Sequence, residues 1–220
     1  EFLPFCEVID ARSLVNGVIG LMATGGSTNL MIHILAMARS VGYEMTLADI
    51  AELSQVTPLL ARIYPNGSAD VNQFHAAGGM AFVIRELLAA DLLHADARSV
   101  IGEPISAYAR EPSLSQGHLY WKEAPADSGD ESILRPAGNP FSPQGGLCRL
   151  QGNLGEAVIK ISALDESKWQ VSAPARVFDS QQAMARAHKA GELNGDMVAV
   201  VRYQGPRANG MPELHQLMPL

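Results

Sequence analysis

One stretch of this sequence constrains its fold more than any other: no charged residue occurs from Ser13 to Ala38. The stretch is long enough to cross a bilayer, which takes about 20 apolar residues. Its centre, however, is the polar run from Thr24 to Asn29, and Asn16 and His33 lie on either side of that run. Such polar groups would need partners in lipid. We therefore interpret the stretch as two buried helices joined by a polar turn.

The composition limits the partners of the chain. Charged residues make up 18% of the sequence and hydrophobic residues 47%, whereas ordinary domains carry roughly 25% charged residues. We expect a sizeable core and, because the surface is thinly charged, a homo-oligomer. The formal net charge of −7 disfavours nucleic acid and anionic membranes as partners. No basic segment followed by an apolar one opens the chain, so we expect no signal peptide and a cytoplasmic protein.

The two cysteines, Cys6 and Cys148, belong to no CxxC or other metal-ligand spacing. Their separation argues against a secreted disulfide framework. It also argues against a zinc or iron–sulfur site built from this chain alone.

Apolar residues at helical spacing predict an N-terminal helical region. The Thr46–Asp49 pair is a capping-box pattern, in which a hydroxyl and a carboxylate satisfy end amides, and Asp70 is a second candidate cap. A turn is expected around 64–68 and a break at Gly78-Gly79. The predicted helices cover residues 8–23, a segment around 32–39 closed by Gly42, residues 47–56, a segment from Asp70, and residues 80–93.

Many prolines between residues 101 and 146 leave little room for long helices and indicate a domain boundary. Beyond them, β-like runs at 157–163, 171–178 and 197–203, with a helix between the last two, predict a small mixed sheet or barrel-like domain. The uncharged run Val198–Val201 is typical of a fully buried strand. We predict an α/β chain in which residues 1–135 are part of a first domain. Residues 136–220 are the start of a second, β-rich domain.

The turn Gly25-Gly26-Ser27-Thr28-Asn29 is the first candidate site. Its glycines allow the backbone to approach a ligand closely, and the free amides of a helix start favour an anion. The simpler interpretation on spacing alone is that Ser27 or Thr28 caps the helix. Both interpretations stay open at this point.

His75 follows a second polar turn, Asn66–Asn72. Imidazole titrates near physiological pH, so His75 could carry a proton or bind a ligand. A hydrogen-bonded helix residue is the commoner case, because buried polar groups usually find partners.

The loop Gln204–Leu214 is the third candidate, since it directly follows a predicted strand, where α/β sheets often bind ligands. Arg207 suits a carboxylate or phosphate, Asn209 adds an amide, and Glu213 suits a hard cation such as Mg²⁺. The alternative is an exposed loop with solvated charges.

Five motifs together resemble the dihydroxyacid/phosphogluconate dehydratase superfamily. Two of them, Tyr64–Gly67 with Asn72 and Phe74, and Gln204–Gly210, are more similar to its phosphogluconate branch than to its branched-chain dihydroxyacid branch. The motifs are Leu21–Asn29, Tyr64–Gly67, Ala76–Met80, Gly152–Gly155 and Gln204–Leu214.

This resemblance implies a hydro-lyase that dehydrates 6-phospho-D-gluconate to 2-dehydro-3-deoxy-6-phospho-D-gluconate, the entry step of the Entner–Doudoroff route. It implies an iron–sulfur cluster, with cysteine ligands outside this chain segment, and Mg²⁺. It also implies a serine base that would follow Leu220 and a C-terminal domain that swivels. The alternatives are a dihydroxyacid or other sugar-acid dehydratase, or a non-catalytic binding module that retains the fold.

Carried over residue by residue, the resemblance makes Glu213 a Mg²⁺ ligand. Two positions depart from the family pattern, with Ser68 where a lysine is usual and Leu30 where a histidine is frequent. No catalytic residue falls within this segment, so the segment alone is expected to be inactive. The predicted substrate-binding residues, from the matched motif and from the chemistry of the loop together, are Gly26, Ser27, Thr28, Asn29, Arg207 and Asn209.

Overall fold

The computed structural model describes residues 2–205 and residue 217. It divides into two compact units, Glu1–Leu164 and Asp165–Leu220. Helices and small sheets occur together, which confirms the α/β class, whereas the family-level boundary at 135/136 stays a prediction. The helices of the first unit are α1 (Ala11–Ala23), α2 (Thr28–Ser40), α3 (Leu47–Val56), α4 (Val71–Ala76) and α5 (Gly79–Ala89).

Helix α1 lies between two hydrophobic cores, which explains why its sequence carries so few charges. Its residues Ile19 and Ala23 join a core made with α4, α5 and the segment around Leu60. Its opposite side, including Val18, packs with α2, α3 and Leu147 in the other core. The prediction of two helices joined by a turn is therefore confirmed, but α2 buries only one face, since Leu30 and Met37 are exposed. Within the described ranges, no helix combines the length and apolarity needed to cross a bilayer.

Capping residues fix where three of these helices begin. The side chains of Asp10, Thr46 and Asp70 each accept a hydrogen bond from the amide of the third helical residue. The side chain of that third residue in turn accepts a hydrogen bond from the backbone amide of the capping residue. This reciprocal arrangement satisfies two end amides at once. The predicted caps at Thr46 and Asp70 are confirmed.

Two antiparallel hairpins complete the first unit. Strands β1 (Arg110–Ser115) and β2 (His118–Glu123) form the first, and β3 (Leu147–Gly152) and β4 (Gly155–Lys160) form the second. The first hairpin lies within the proline-rich region, for which no strand was predicted. The second turns at Asn153-Leu154, within one of the family motifs.

The second unit contains a parallel pair of strands joined by a helix. These elements are β5 (Ala175–Phe178), α6 (Gln181–Lys189) and β6 (Val198–Val201). Ser180 caps α6 by accepting a hydrogen bond from the amide of Ala183, as its position before the helix predicts.

Three details of the prediction are wrong. The β-like runs do not form one sheet in the described residues, because β4 pairs with β3 whereas β5 pairs with β6. Strand β6 is not fully buried, since Val198 is exposed and β6 has one described neighbour rather than two. Helix α5 ends at Ala89 instead of reaching Leu93, because Asp91 adopts a positive φ of 54°, which a continuing helix does not allow.

Candidate substrate-binding site

The turn between α1 and α2 has a defined backbone course. Gly25 adopts a φ of 63°, a left-handed conformation that favours glycine. The amides of Gly25 and Gly26 donate to the carbonyls of Met22 and Leu21, which closes α1. Ser27 then starts α2, because its hydroxyl accepts a hydrogen bond of 3.1 Å from the amide of Leu30. The capping interpretation is thus confirmed for Ser27.

The carbonyl oxygen of Gly25 is the acceptor for two side chains from distant parts of the chain. Asn66 Nδ2 donates to it at 2.5 Å, and Lys160 Nζ donates to it at 2.8 Å. The hydroxyl of Ser162 donates to Asn66 Oδ1 at 3.1 Å. We call Gly25, Asn66, Lys160 and Ser162 the Gly25 cluster.

Glycines allow the backbones around this cluster to approach closely. A Cβ at Gly25 would overlap Asn66 Nδ2, and one at Gly146 would overlap the hydroxyl of Ser162. A Cβ at Gly67 would lie 2.5 Å from the carbonyl oxygen of Arg62. Two of the family motifs, at residues 21–29 and 64–67, therefore meet through contacts that need glycine.

Strand pairing brings Lys160 to the cluster. Lys160 is the register partner of Leu147 across the β3–β4 hairpin, so both side chains lie on the same face of the sheet. Leu147 is buried in the core shared by α1, α2 and α3. The hairpin is therefore anchored on the face that carries Lys160.

Burial lowers the pKa of Lys160 below its ordinary value, because its ammonium loses part of its hydration. Its hydrogen-bond acceptor in the structure is a neutral carbonyl. In the described part of the chain, no carboxylate forms an ion pair with it. The cluster therefore holds a partly buried cation, without a carboxylate partner in the described residues, at the turn that leads into α2.

His75 lies elsewhere, on α4. Its Nε2 is 3.2 Å from Glu111 Oε1 on β1. His75 thus lies on a helix beside an acidic side chain, but its own side chain is 66% exposed rather than buried.

The described residues do not form a metal site. Residues 2–205 and 217 contain no group of three or more His, Cys, Asp or Glu side chains placed to hold an ion. Cys6 is exposed and Cys148 is half-buried, and neither forms a disulfide. Glu213, Arg207 and Asn209 lie outside the described residues, so their predicted roles stay predictions, as do those of Gly26, Ser27, Thr28 and Asn29 at the substrate.

Sequence reasoning missed Lys160 and Ser162. One signal could have found the lysine. Lys160 lies two residues after Val158 in β4, and residues two apart in a strand lie on the same face. A lysine that shares a strand face with a partly buried valine is unusual.

Comparison with protein families agrees with the motifs. The family model described as "Dihydroxy-acid/6-phosphogluconate dehydratase N-terminal" matches residues 2–108. The model for the C-terminal part of the same family matches residues 132–220.

Individual relatives match over nearly the whole chain. The chain is 54% identical over 219 residues to a phosphogluconate dehydratase of Pseudomonas aeruginosa, covering 100% of the chain and 36% of the relative. It is 55% identical over 218 residues to one of Rhizobium meliloti, covering 99% and 36%. A dihydroxy-acid dehydratase of Polaromonas is 36% identical over 211 residues, covering 94% and 35%. The chain spans about a third of the length of these curated relatives, and it belongs to the dihydroxy-acid/6-phosphogluconate dehydratase family.

Proposed function

We propose that the full-length protein dehydrates 6-phospho-D-gluconate to 2-dehydro-3-deoxy-6-phospho-D-gluconate, in the Entner–Doudoroff pathway. The difference in identity between the two groups of relatives carries this proposal. Relatives named phosphogluconate dehydratase are 54% and 55% identical, whereas the one named dihydroxy-acid dehydratase is 36% identical. The substrate carries a carboxylate and a phosphate, so the site needs positive charge.

The chemistry of dehydration supports a role for metals. Hydroxide is a poor leaving group and an α-proton is weakly acidic, and bound metal ions stabilise the negative charge that develops at both places. We propose an iron–sulfur cluster and Mg²⁺ as the groups that supply this chemistry. The family resemblance places the ligands of the iron–sulfur cluster outside this segment and makes Glu213 the candidate Mg²⁺ ligand from this chain.

The substrate assignment is tested with the full-length protein purified without oxygen. We expect a 2-keto acid to be released from 6-phosphogluconate, detected by its reaction with semicarbazide. A branched-chain dihydroxy acid serves as the comparison substrate. Turnover of that substrate alone would move the protein to the dihydroxyacid branch, and turnover of neither would favour the non-catalytic module.

The Mg²⁺ assignment is tested with Glu213→Gln in the full-length enzyme. Loss of one anionic ligand should raise the Mg²⁺ concentration needed for half-maximal activity and lower the bound magnesium measured by elemental analysis. Glu166→Gln is the control, since Glu166 is exposed at the start of a short 3₁₀ helix. Equal magnesium content in both variants would contradict the assignment.

A cytoplasmic location and a homo-oligomeric state are also part of the proposal. The homo-oligomeric state is inferred from the low fraction of charged residues. Light scattering on the full-length protein measures the oligomeric state, and a monomer would contradict it.

A further inference from the structure

We propose that Lys160, held at the carbonyl oxygen of Gly25 beside Asn66, binds the phosphate group of the substrate. The proposal rests on the proposed function, which supplies a phosphorylated substrate. It adds a binding residue from the strand β4, far in sequence from the motifs that first indicated a site.

In the described residues, no carboxylate pairs with the ammonium of Lys160. Some arginines have acidic partners, such as Arg12 with Asp10 at 2.7 Å and Arg149 with Glu156 at 2.6 Å, and Lys160 differs from the other described lysines, which also lack an ion pair, in being half-buried. Lys160 donates to a neutral carbonyl instead. An ammonium has three N–H donors, so two are left for a ligand.

The side chains beside the ammonium carry no charge. Asn66 donates to the carbonyl of Gly25, and Ser162 donates to Asn66. They therefore orient the turn without neutralising Lys160. Helix α2 begins at Thr28, three residues after Gly25 in the chain, and its start carries the positive end of the helix dipole. An anion here would gain from both charges.

Partial burial of the Lys160 ammonium has an energetic cost. A half-buried ammonium without a counter-ion loses hydration that the protein does not fully replace, and its lowered pKa reports this loss. A bound phosphate would offset the loss by a charge-assisted hydrogen bond. Lysine binds phosphate as a compact point charge, which needs less exact geometry than the two-pronged contact of arginine.

Phosphate is favoured over the substrate carboxylate for a chemical reason. The carboxylate adjoins the carbon that loses its proton, and the proposed Mg²⁺ would bind that end. The phosphate is at the other end of a six-carbon chain and needs its own cation. Ser68, an exposed residue in the same turn as Asn66, supplies none.

The test measures inorganic phosphate binding to the full-length protein by calorimetry, together with phosphate inhibition of 6-phosphogluconate turnover. Lys160→Met should weaken phosphate binding by about 10- to 100-fold, the range for a lost hydrogen bond to a charged group. Lys160→Arg, which keeps the charge, should retain most of the affinity. Lys189→Met is the matched control at an exposed lysine at the end of α6 and should change nothing.

Two outcomes would overturn the proposal, and a third would overturn only the proposed function on which it rests. Unchanged phosphate affinity in Lys160→Met, with only a lower unfolding temperature, would make Lys160 a structural tether between β4 and the turn. An equal rise in KM for 6-phosphogluconate and unphosphorylated gluconate would assign it to the carboxylate. Because calorimetry needs no turnover, phosphate binding that depends on Lys160 in a protein inactive on 6-phosphogluconate would overturn the proposed function and leave the anion site standing.

Discussion

Lys160 Nζ donates a hydrogen bond of 2.8 Å to the carbonyl oxygen of Gly25, although 135 residues separate them in the sequence. This bond joins the end of a strand to the turn between two helices. The same carbonyl also accepts from Asn66. The turn that the sequence singles out is therefore held by side chains of two other segments.

Asn66 and Ser162 should act as one unit in stability. Asn66→Ala removes the bonds to both Gly25 and Ser162, and Ser162→Ala removes the second of these alone. We expect the double variant to be more stable than the sum of the single losses predicts, by about 0.5–1.5 kcal/mol, because one bond is lost in both. Urea unfolding of the four proteins measures this coupling.

The control for this cycle combines Asn66→Ala with Thr46→Ala. Thr46 bonds to Asp49 at the start of α3 and shares no hydrogen bond with Asn66. The two losses should add. If the stability losses of Asn66→Ala and Ser162→Ala were also additive, the hydrogen bond between Ser162 and Asn66 would be contradicted.

Asp10 should stabilise α1 in a pH-dependent way. The amide of Ser13 and the guanidinium of Arg12 lower the pKa of Asp10 below its ordinary 3.8. Its stabilising contribution is therefore complete above the unfolded-state pKa and is lost as the pH falls through the lower, folded-state pKa. Asp10→Ala should cost about 1 kcal/mol at neutral pH, and this cost should shrink below about pH 4.

Asp10→Asn is the matched control for this prediction. It keeps an oxygen that can accept from the amide of Ser13, but it does not titrate. It should retain most of the stability at neutral pH, since asparagine caps helices well, and lose the dependence below pH 4. A pH profile for Asp10→Asn identical to that of the parent protein would show that another group causes the effect.

Local patterns in the sequence account for much of the fold. The apolar spacing and the caps at Thr46 and Asp70 place helices within a few residues of their observed bounds, because these signals act over a single turn. The β1–β2 hairpin was missed because prolines dominated the interpretation of its region. Its tight turn consists of Gln116 and Gly117, which both have positive φ. The glycine is the local signal in the sequence for such a turn.

The candidate site could be predicted only in pieces. Gly25 and Asn66 occur in separate motifs, and nothing in either motif shows that their side chain and backbone meet. The arrival of Lys160 depends on the β3–β4 pairing and on the burial of Leu147. Such contacts arise from tertiary packing, which local periodicity does not encode.

Leu134 should be essential for the core around α5. It is 0% exposed and pairs through the backbone with Ala61. Leu134→Ala should lower the free energy of unfolding by about 2–5 kcal/mol, as expected for a large cavity in a packed core. Leu114→Ala is the control, since Leu114 is 74% exposed, and it should change stability by less than about 0.5 kcal/mol. Similar losses in both variants, measured by urea unfolding, would contradict this account of the core.

Gly25 should tolerate a methyl group far less well than Gly42. Both have positive φ, 63° and 85°, so alanine is strained at either position by about 1–2 kcal/mol. A Cβ at Gly42 meets nothing within 4 Å, whereas one at Gly25 would overlap the amide of Asn66 and lie 3.0 Å from Leu59 Cδ1. Gly25→Ala must therefore also displace Asn66, and we expect a total cost of about 2–5 kcal/mol.

The contribution of Asn66 to this cost can be isolated. In an Asn66→Ala background the methyl group at residue 25 meets no amide, so Gly25→Ala should cost less than in the parent protein and exceed Gly42→Ala only by the close contact with Leu59 Cδ1. The unfolding free energies of the parent, the three single variants and the Gly25→Ala/Asn66→Ala double variant give this comparison. If Gly25→Ala and Gly42→Ala were equally costly in the parent protein, the close approach of Asn66 to the turn would be disproved, and the position of Lys160 at the same carbonyl would lose its structural support.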